Sequence, residues 1–184
     1  MMLKEIPRYE CLHEVSKLYP ELNPVACEAF LNLIRTSDEM MRVHSEFFNR
    51  HNITKGRFIV LMLLCNKSSC MPHPKTPAEL ADMSVCTRAT MTGLIDSLEK
   101  DGFVRREPDT DDRRMMKVTL TESGSKFIRD ILPEHFRRIT YLMGGLSEAE
   151  QKTLVSLLGK IVERCVTLEP LSSNQGKKGA AGIS

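Results

Sequence analysis

Apolar side chains recur at helical spacing over most of the chain, and the polar breaks between these runs predict a succession of helices. A short amphipathic helix is expected at residues 9–18 and a long helix at residues 25–50. The apolar positions of the long helix are spread too widely for one stripe, so we expect more than one of its faces to be covered. Thr54 is a candidate N-cap for a strongly apolar helix at residues 57–65, which we expect in the core.

Helical spacing returns in the last third of the chain. Thr121 is expected to cap a helix that is kinked by Pro133 and ends at Gly144-Gly145. The segment Ser147–Glu150 has the pattern of a capping box and predicts the start of a last helix. Residues 169–184 are polar and rich in glycine, which predicts a disordered tail.

Two short helices are predicted in the middle of the chain. Thr76 and Glu79 form a capping-box pattern at the start of the first helix. Thr87 is the expected N-cap of the second helix, and Gly102 is a plausible stop for it. The predicted apolar positions are Ala78, Leu80, Ala81 and Met83 in the first helix, and Met91, Leu94, Ile95 and Leu98 in the second.

A hairpin follows these two helices. Residues 103–106 and 116–120 read as strands, and residues 108–114 form a turn rich in proline and aspartate. Helix, turn, helix and ribbon is the layout of a winged helix-turn-helix, whose second helix enters the DNA major groove. The ribbon tip of such a fold reaches a phosphate or the minor groove. The face of the second helix outside its apolar stripe is small or polar and permits a close approach: it carries Arg88, Ala89, Thr92, Gly93 and Asp96.

The predicted fold class is mostly α with a small two- to three-stranded β wing. The winged helix-turn-helix lobe is expected at residues 54–122, between N-terminal dimerisation helices at 1–53 and C-terminal dimerisation helices at 123–168, with the disordered tail at 169–184. The terminal helices have apolar faces that need cover, and a second copy of the chain supplies it most economically. A two-fold dimer would place its two recognition helices about one DNA turn (~34 Å) apart.

The charge of the chain gives little support to DNA binding by itself. The formal net charge is +2, and residues 76–124 hold seven Lys or Arg against ten Asp or Glu, a net of −3. The basic side chains must therefore be segregated in space if the lobe binds DNA. This charge favours one alternative, a winged-helix module that binds another protein and not DNA.

Several other classes of protein are disfavoured. No apolar run approaches the ~20 residues of a membrane span, and the first residues lack the apolar core of a signal peptide, so we expect a cytoplasmic protein. The six cysteines form no CxxC pair, and the Cys/His spacing fits no common zinc pattern, so we expect neither a metal nor a cofactor. An enzyme is not expected, because no catalytic triad, paired-carboxylate or phosphate-loop pattern occurs.

The sequence ATMTGLIDSLEKDGFVRR and the wing PDTDDRRMMKVTLTESG resemble the MarR (multiple antibiotic resistance regulator) family. In that family the wing commonly reads Asp-Pro-x-Asp-Arg/Lys-Arg and the strand after it ends Leu-Thr-x-x-Gly. The matching positions here are 109–114 and 120–124, with Thr110 in place of the usual proline. The resemblance implies a homodimeric transcription regulator, a repressor that binds a pseudo-palindromic operator in double-stranded DNA.

The resemblance also implies which residues contact DNA. At least one of Arg113 and Arg114 is expected at a phosphate or in the minor groove, and the other can pair with Asp109 or Asp112. Thr87 is expected both to cap its helix and to lie beside N–H groups that hold a phosphate. The full set of predicted DNA contacts is Thr87, Arg88, Ala89, Thr90, Thr92, Arg113 and Arg114.

Two modes of regulation remain open on the sequence. A small aromatic or anionic ligand would release the repressor, and the aromatic and cationic stretch Arg42, His44, Phe47 and Phe48 suggests its pocket. The alternative is a thiol-based redox sensor, since some peroxide sensors of the MarR type keep a reactive cysteine in their N-terminal helices. Cys11 and Cys27 are the candidates, although no flanking signature accompanies them.

Overall fold

The computed structural model describes residues 7–65, 72–84, 86–109 and 115–167, so the predicted tail lies outside the described residues. The fold is mostly helical with one two-stranded antiparallel sheet, as predicted. The chain divides into two compact units, Met1–His135 and Phe136–Ser184. The elements are α1 (Tyr9–Ser16), α2 (Pro24–Arg50), α3 (Lys55–Leu63), α4 (Pro77–Ser84), α5 (Arg88–Lys100), β1 (Val104–Pro108), β2 (Met116–Leu120), α6 (Glu122–Met143) and α7 (Glu148–Thr167).

Both predicted capping boxes form. In front of α4, the N–H of Glu79 donates to Thr76 Oγ1 (3.2 Å) and the N–H of Thr76 donates to Glu79 Oε2 (2.7 Å). Ser147 and Glu150 make the same reciprocal pair in front of α7. These bonds satisfy N–H groups that have no partner inside a helix, which is why the helices begin there. Thr54, Thr87 and Thr121 cap α3, α5 and α6 through their hydroxyl oxygens.

Helix α5 ends at the predicted glycine. Gly102 has a φ of 76°, its N–H donates to the carbonyl of Glu99 (3.0 Å), and the N–H of Phe103 donates to the carbonyl of Leu98 (2.9 Å). This is the Schellman arrangement, in which a left-handed residue lets the chain turn back over the last helical turn. Phe103 is therefore part of the helix end and not the first residue of a strand.

The antiparallel ribbon consequently begins one residue later than predicted and extends further. Strand β1 pairs with β2 along its whole length, Val104–Pro108, whereas the sequence predicted a strand at residues 103–106. Pro108 is tolerated because it stands at the strand end, where a missing N–H costs no central ladder bond. Val118 also exchanges two backbone hydrogen bonds with Lys75 (3.1 and 2.8 Å), which gives β2 a one-residue third partner in front of α4.

A continuous core lies in the first unit, between the end of α2, helices α3 to α5, the ribbon and the first half of α6. The predicted stripe of α5 faces this core. In α4, Leu80 and Ala81 are buried, whereas Met83 is 46% exposed. Helix α4 is only two turns long, so Leu80 and Ala81 already fill its inner face. The most enclosed large side chains are Phe47, Leu61, Leu64, Leu80, Met91, Ile95, Leu98, Ile128 and Ile131.

Aromatic rings join the first half of α6 to α2 and α3. Ring centroids are 5.2 Å apart between Phe48 and Phe58, 4.9 Å between Phe58 and His135, and 5.6 Å between Phe47 and His135. Burial lowers the pKa of His135, and the nearby His44 lowers it further. The imidazole of His135 is therefore packed as a neutral ring, like its phenylalanine neighbours.

The second unit holds the end of α6 and all of α7. Helix α6 continues through Pro133, and the turn after it is fixed by Gln151, whose amide donates to the carbonyls of Met143 (3.1 Å) and Leu146 (3.0 Å). None of the residues of α7 is buried, and three apolar side chains of its stripe are at least 45% exposed. The exposed fractions are 50% at Leu157, 45% at Ile161 and 60% at Val162. Within the described segments, we find no helix with the length and apolar character needed to cross a membrane.

Gly124 in the first turn of α6 is required by a close backbone approach. A Cβ at this position would lie 2.0 Å from the carbonyl oxygen of Phe103. An added methyl group would therefore force the backbone of Phe103 or of α6 to move. We expect Gly124→Ala to lower the free energy of unfolding by about 1–3 kcal/mol, measured by urea denaturation. Gly159→Ala in α7 is the control: a Cβ there meets nothing within 4 Å, and we expect a gain of about 0.5–1 kcal/mol. An unchanged midpoint for Gly124→Ala would contradict the close contact.

Candidate nucleic-acid interface

The N-terminal turn of α5 is exposed and well ordered by its cap. Thr87 Oγ1 accepts a hydrogen bond from the N–H of Thr90 (3.1 Å), and the two threonine hydroxyls lie 2.8 Å apart. The other N–H groups of a first helical turn have no partner within the helix and point along its axis. Together with the positive end of the helix dipole, they suit a phosphate. The exposed residues of this turn are Thr87, Arg88, Ala89 and Thr90.

Arg88, Thr92 and Asp96 follow one another at intervals of four residues and form an exposed row along α5. The hydroxyl of Thr92 donates to the carbonyl of Arg88 (3.0 Å), so its lone pairs remain to accept a hydrogen bond from a base amino group. Beside the row, a Cβ on Gly93 would meet nothing within 4 Å. The row thus offers donors at its start and acceptors further along, on a surface with little side-chain bulk.

The acids behind the negative charge of the lobe are largely held in ion pairs. The carboxylates of Asp96 and Glu99 both contact the guanidinium of Arg106. A carboxylate that is paired at close range sets up a much weaker field at a distance than a free one. The sum over residues 76–124 omits Arg57, which pairs with Asp101, so part of the negative charge of the lobe is compensated from outside that range. The further pairs are Asp101 with Arg57, Glu107 with Arg105, and Asp109 with Lys117.

Arg88 differs from these paired cations. Its guanidinium makes no hydrogen bond or ion pair to any residue that the structure describes. It stands at the positive end of α5 with its donors available, which is the arrangement that bidentate binding of a phosphate or a guanine needs. Lys100 stands at the opposite end of the same helix and is also exposed.

The base of the wing is in place, while its tip is not described. The N–H of Asp109 donates to the carbonyl of Met115 (2.9 Å), and Lys117 Nζ lies 2.9 Å from Asp109 Oδ2. Arg113 and Arg114 fall among residues 110–114, outside the described residues. Asp109 already has Lys117 as a partner.

The four residues predicted for a ligand pocket differ in burial. Arg42 is exposed on α2 and pairs with Glu39 (3.0 Å) and Glu46 (2.6 Å). Phe47 and Phe48 are buried in the core, and His44 lies against Phe48, with ring centroids 5.9 Å apart. The hydrogen bond to Glu39 is the main cause of the raised pKa of Arg42. The assignment of these residues to a ligand stays a prediction.

The two candidate redox cysteines lie on different helices. Cys11 is exposed on α1, and Cys27 is half-buried near the start of α2. Among the described residues, no group of three or more His, Cys, Asp or Glu side chains is placed to hold a metal ion. The ion pairs of Arg106 with Asp96 and Glu99 were not predicted from the sequence, because only the packing of β1 against α5 brings these side chains together.

Comparison with known proteins shows which family the chain belongs to. The MarR family model matches residues 53–116, the stretch from α3 to the first residue of β2. The HTH-type transcriptional repressor YetL of Bacillus subtilis is 36% identical to this chain over 164 residues, which cover 89% of this chain and 96% of YetL. The chain belongs to the MarR family. A second relative, the transcriptional repressor MprA of Escherichia coli K12, is 31% identical over 66% of this chain and 70% of MprA.

Solved structures of MarR regulators share the fold. AbsC, a MarR family transcriptional regulator from Streptomyces coelicolor, covers 76% of this chain and 93% of its own, with a TM-score of 0.67 and 19% identity. PcaV from the same organism, solved in complex with its natural ligand, covers 71% and 91%, with a TM-score of 0.58 and 16% identity. The predicted family and fold class are thereby confirmed, and the chain is a DNA-binding transcription regulator of the MarR family.

Gly93 offers a test of which face of α5 approaches DNA. We expect Gly93→Ala to raise the free energy of unfolding by about 0.5–1 kcal/mol, because the added methyl is unobstructed and stiffens the helix. If the face lies against DNA, the same methyl should weaken binding to the DNA upstream of the protein's own gene. Gly159→Ala, an equally unobstructed change in α7, should stabilise without weakening DNA binding. Unimpaired binding by Gly93→Ala would show that this face stays clear of the DNA.

Proposed function

We propose that the protein is a sequence-specific repressor that binds a pseudo-palindromic operator as a homodimer and is released by a small molecule. The observation that carries the proposal is the exposed N-terminal end of α5, where the capped turn at Thr87 stands beside Arg88, whose guanidinium has no partner among the described residues. Thr90, Ala89 and Thr92 complete the face that would enter the major groove. Arg113 and Arg114 are proposed to extend the contact from the wing.

The uncovered apolar side chains support the homodimer. Among the described residues, Phe30 and Ile34 on α2 are 61% and 48% exposed, and the stripe of α7 is exposed as well. Apolar surface on this scale is costly in water, and a second copy offers the same helices in a self-complementary arrangement. The dimer would present two α5 helices to half-sites about one helical turn (~34 Å) apart.

Affinity for DNA is expected to come largely from phosphate neutralisation. Removing one cation that neutralises a phosphate should reduce the slope of log affinity against log salt by about 0.9. Removing a side chain that contacts a base should change affinity for the operator more than affinity for scrambled DNA. These two signatures allow the role of each cation to be measured separately.

Arg88→Ala should weaken binding to the DNA upstream of the protein's own gene, because it removes an exposed guanidinium from the positive end of α5. The loss expected for a base or phosphate contact is about 1–3 kcal/mol per half-site, measured by titration at several salt concentrations. Lys100→Ala is the matched control, since it removes one charge from the other end of α5 and should leave affinity nearly unchanged.

The outcomes separate DNA recognition from the protein-binding alternative. Equal affinities for Arg88→Ala and the unaltered chain would contradict the assignment of this helix end. If the Arg113→Ala, Arg114→Ala double change were also without effect, the winged lobe would have to serve protein recognition instead.

Release by a ligand has separate support. Both relatives named above are repressors, and PcaV was solved with its natural ligand. For this chain, Arg42 and His44 are the reachable members of the predicted set, since a ligand at Phe47 or Phe48 must displace packed core. The Arg42 guanidinium is paired with Glu39 and Glu46, so an anionic ligand would have to displace one of these carboxylates to bind there.

A ligand screen combined with a thiol test distinguishes the two modes of regulation. We expect a small aromatic acid to raise the melting temperature and weaken operator binding, since a ligand that favours the released state must bind that state more tightly. Peroxide should affect the Cys11→Ser, Cys27→Ser variant and the unaltered chain alike. Release of the unaltered chain alone by peroxide would instead establish the thiol sensor, for which exposed Cys11 is the accessible candidate.

A further inference from the structure

Arg106 is the side chain through which the wing and the recognition helix are joined. Its guanidinium lies 2.5 Å from Asp96 Oδ1 and also contacts Glu99 Oε2, and its backbone N–H donates to Glu99 Oε1 (3.0 Å). Arg106 belongs to β1 and both carboxylates belong to α5. The hydrogen bond to Asp96 is the main cause of the raised pKa of Arg106. The cation is thus held between two acids of the neighbouring element.

The two acids are placed differently with respect to the exposed row of α5. Asp96 continues the row after Arg88 and Thr92, and its side chain is 58% exposed, whereas that of Glu99 is 37% exposed. The Arg106 side chain is 26% exposed and reaches Asp96 from the ribbon. A bare carboxylate on this row would face the phosphates, and like charges opposed across an interface weaken binding strongly.

We propose that Arg106 is a positioning residue for DNA recognition, which holds the Asp96 carboxylate in an ion pair and so lets α5 approach the phosphate backbone. The inference rests on the proposed function, because it requires that the exposed row of α5 faces DNA. Arg106 need not touch DNA itself. Its backbone bond to Glu99 does not depend on its side chain, so the ribbon keeps an attachment to α5 when the guanidinium is replaced.

The role predicts rescue in a double-mutant cycle on operator DNA. Arg106→Gln keeps the aliphatic stem and a donor but removes the charge, and it should weaken binding about tenfold or more because Asp96 becomes bare. Asp96→Asn alone should bind as tightly as the unaltered chain or more tightly. The double variant should bind more tightly than Arg106→Gln and return to within about twofold of the unaltered chain, since the Asp96 charge is gone and only the Glu99 carboxylate is left without the guanidinium. A purely structural ion pair predicts no such rescue.

Arg105→Gln is the matched control. It removes one positive charge from the same strand, but Arg105 pairs with Glu107 (3.2 Å) and not with α5. Asp96→Asn should not rescue any loss that Arg105→Gln causes. Melting temperatures of all variants show whether each is folded, and Arg106→Met with Arg106→Met, Asp96→Asn provides a second uncharged cycle if Arg106→Gln does not fold.

Three results would overturn the proposal. Absence of rescue, with a salt slope reduced by about 0.9, would make Arg106 a phosphate contact. A loss of operator binding by Asp96→Asn, with binding to scrambled DNA intact, would make Asp96 a base-reading residue. If the unaltered chain bound its upstream DNA no better than scrambled DNA, the proposed function would fail and this inference with it. Failure of the rescue alone would leave the proposed function standing.

Discussion

The carbonyl of Phe103 is the point on which the winged lobe depends. It accepts hydrogen bonds from the N–H (3.0 Å) and the hydroxyl (3.2 Å) of Thr121, and the backbone of Gly124 packs directly against it. The end of α5 and the cap of α6 thus meet at Phe103, directly before the first strand of the wing. Phe103 is itself fixed by the Schellman turn at Gly102, so the end of α5 and the start of α6 share this backbone contact.

The helix ends around this junction could be predicted from the sequence, whereas the bounds of the strand could not. Capping boxes, threonine caps and the glycine stop are local signals, so Thr76, Thr87 and Gly102 indicated the helix ends correctly. The start of β1 is set by Phe103, whose N–H bonds to the end of α5 and is therefore not part of the strand. The length of β1 is set by its pairing with β2, which lies further along the chain. Met83 has helical spacing but is 46% exposed, because burial depends on which elements pack together and not on spacing alone.

The candidate site shows the same division between local and non-local information. The small and polar face of α5 lies opposite its buried stripe, and the helical period of 3.6 residues places Arg88 on that face. The ion pairs could not, because Arg106 meets Asp96 only through the register of a strand against a helix. A sum of charges over residues 76–124 counts ten acids and seven bases but does not tell which acids are compensated. The same limit applies to Phe47 and Phe48, whose place in the core depends on α3 and on His135.

Helix α5 separates the residues that hold it together from those that would read DNA. Thr90, Thr92 and Gly93 are poor helix formers, each costing up to about 1 kcal/mol relative to alanine. The helix is instead held by its cap at Thr87, by the Schellman turn at its other end, and by a buried inner stripe. With stability supplied at the ends and the inner side, the outer face is free to carry small residues and threonines, as close contact with a base edge requires. Changes at Arg88 and Thr92 should therefore alter binding specificity without loss of the fold, because both side chains are exposed.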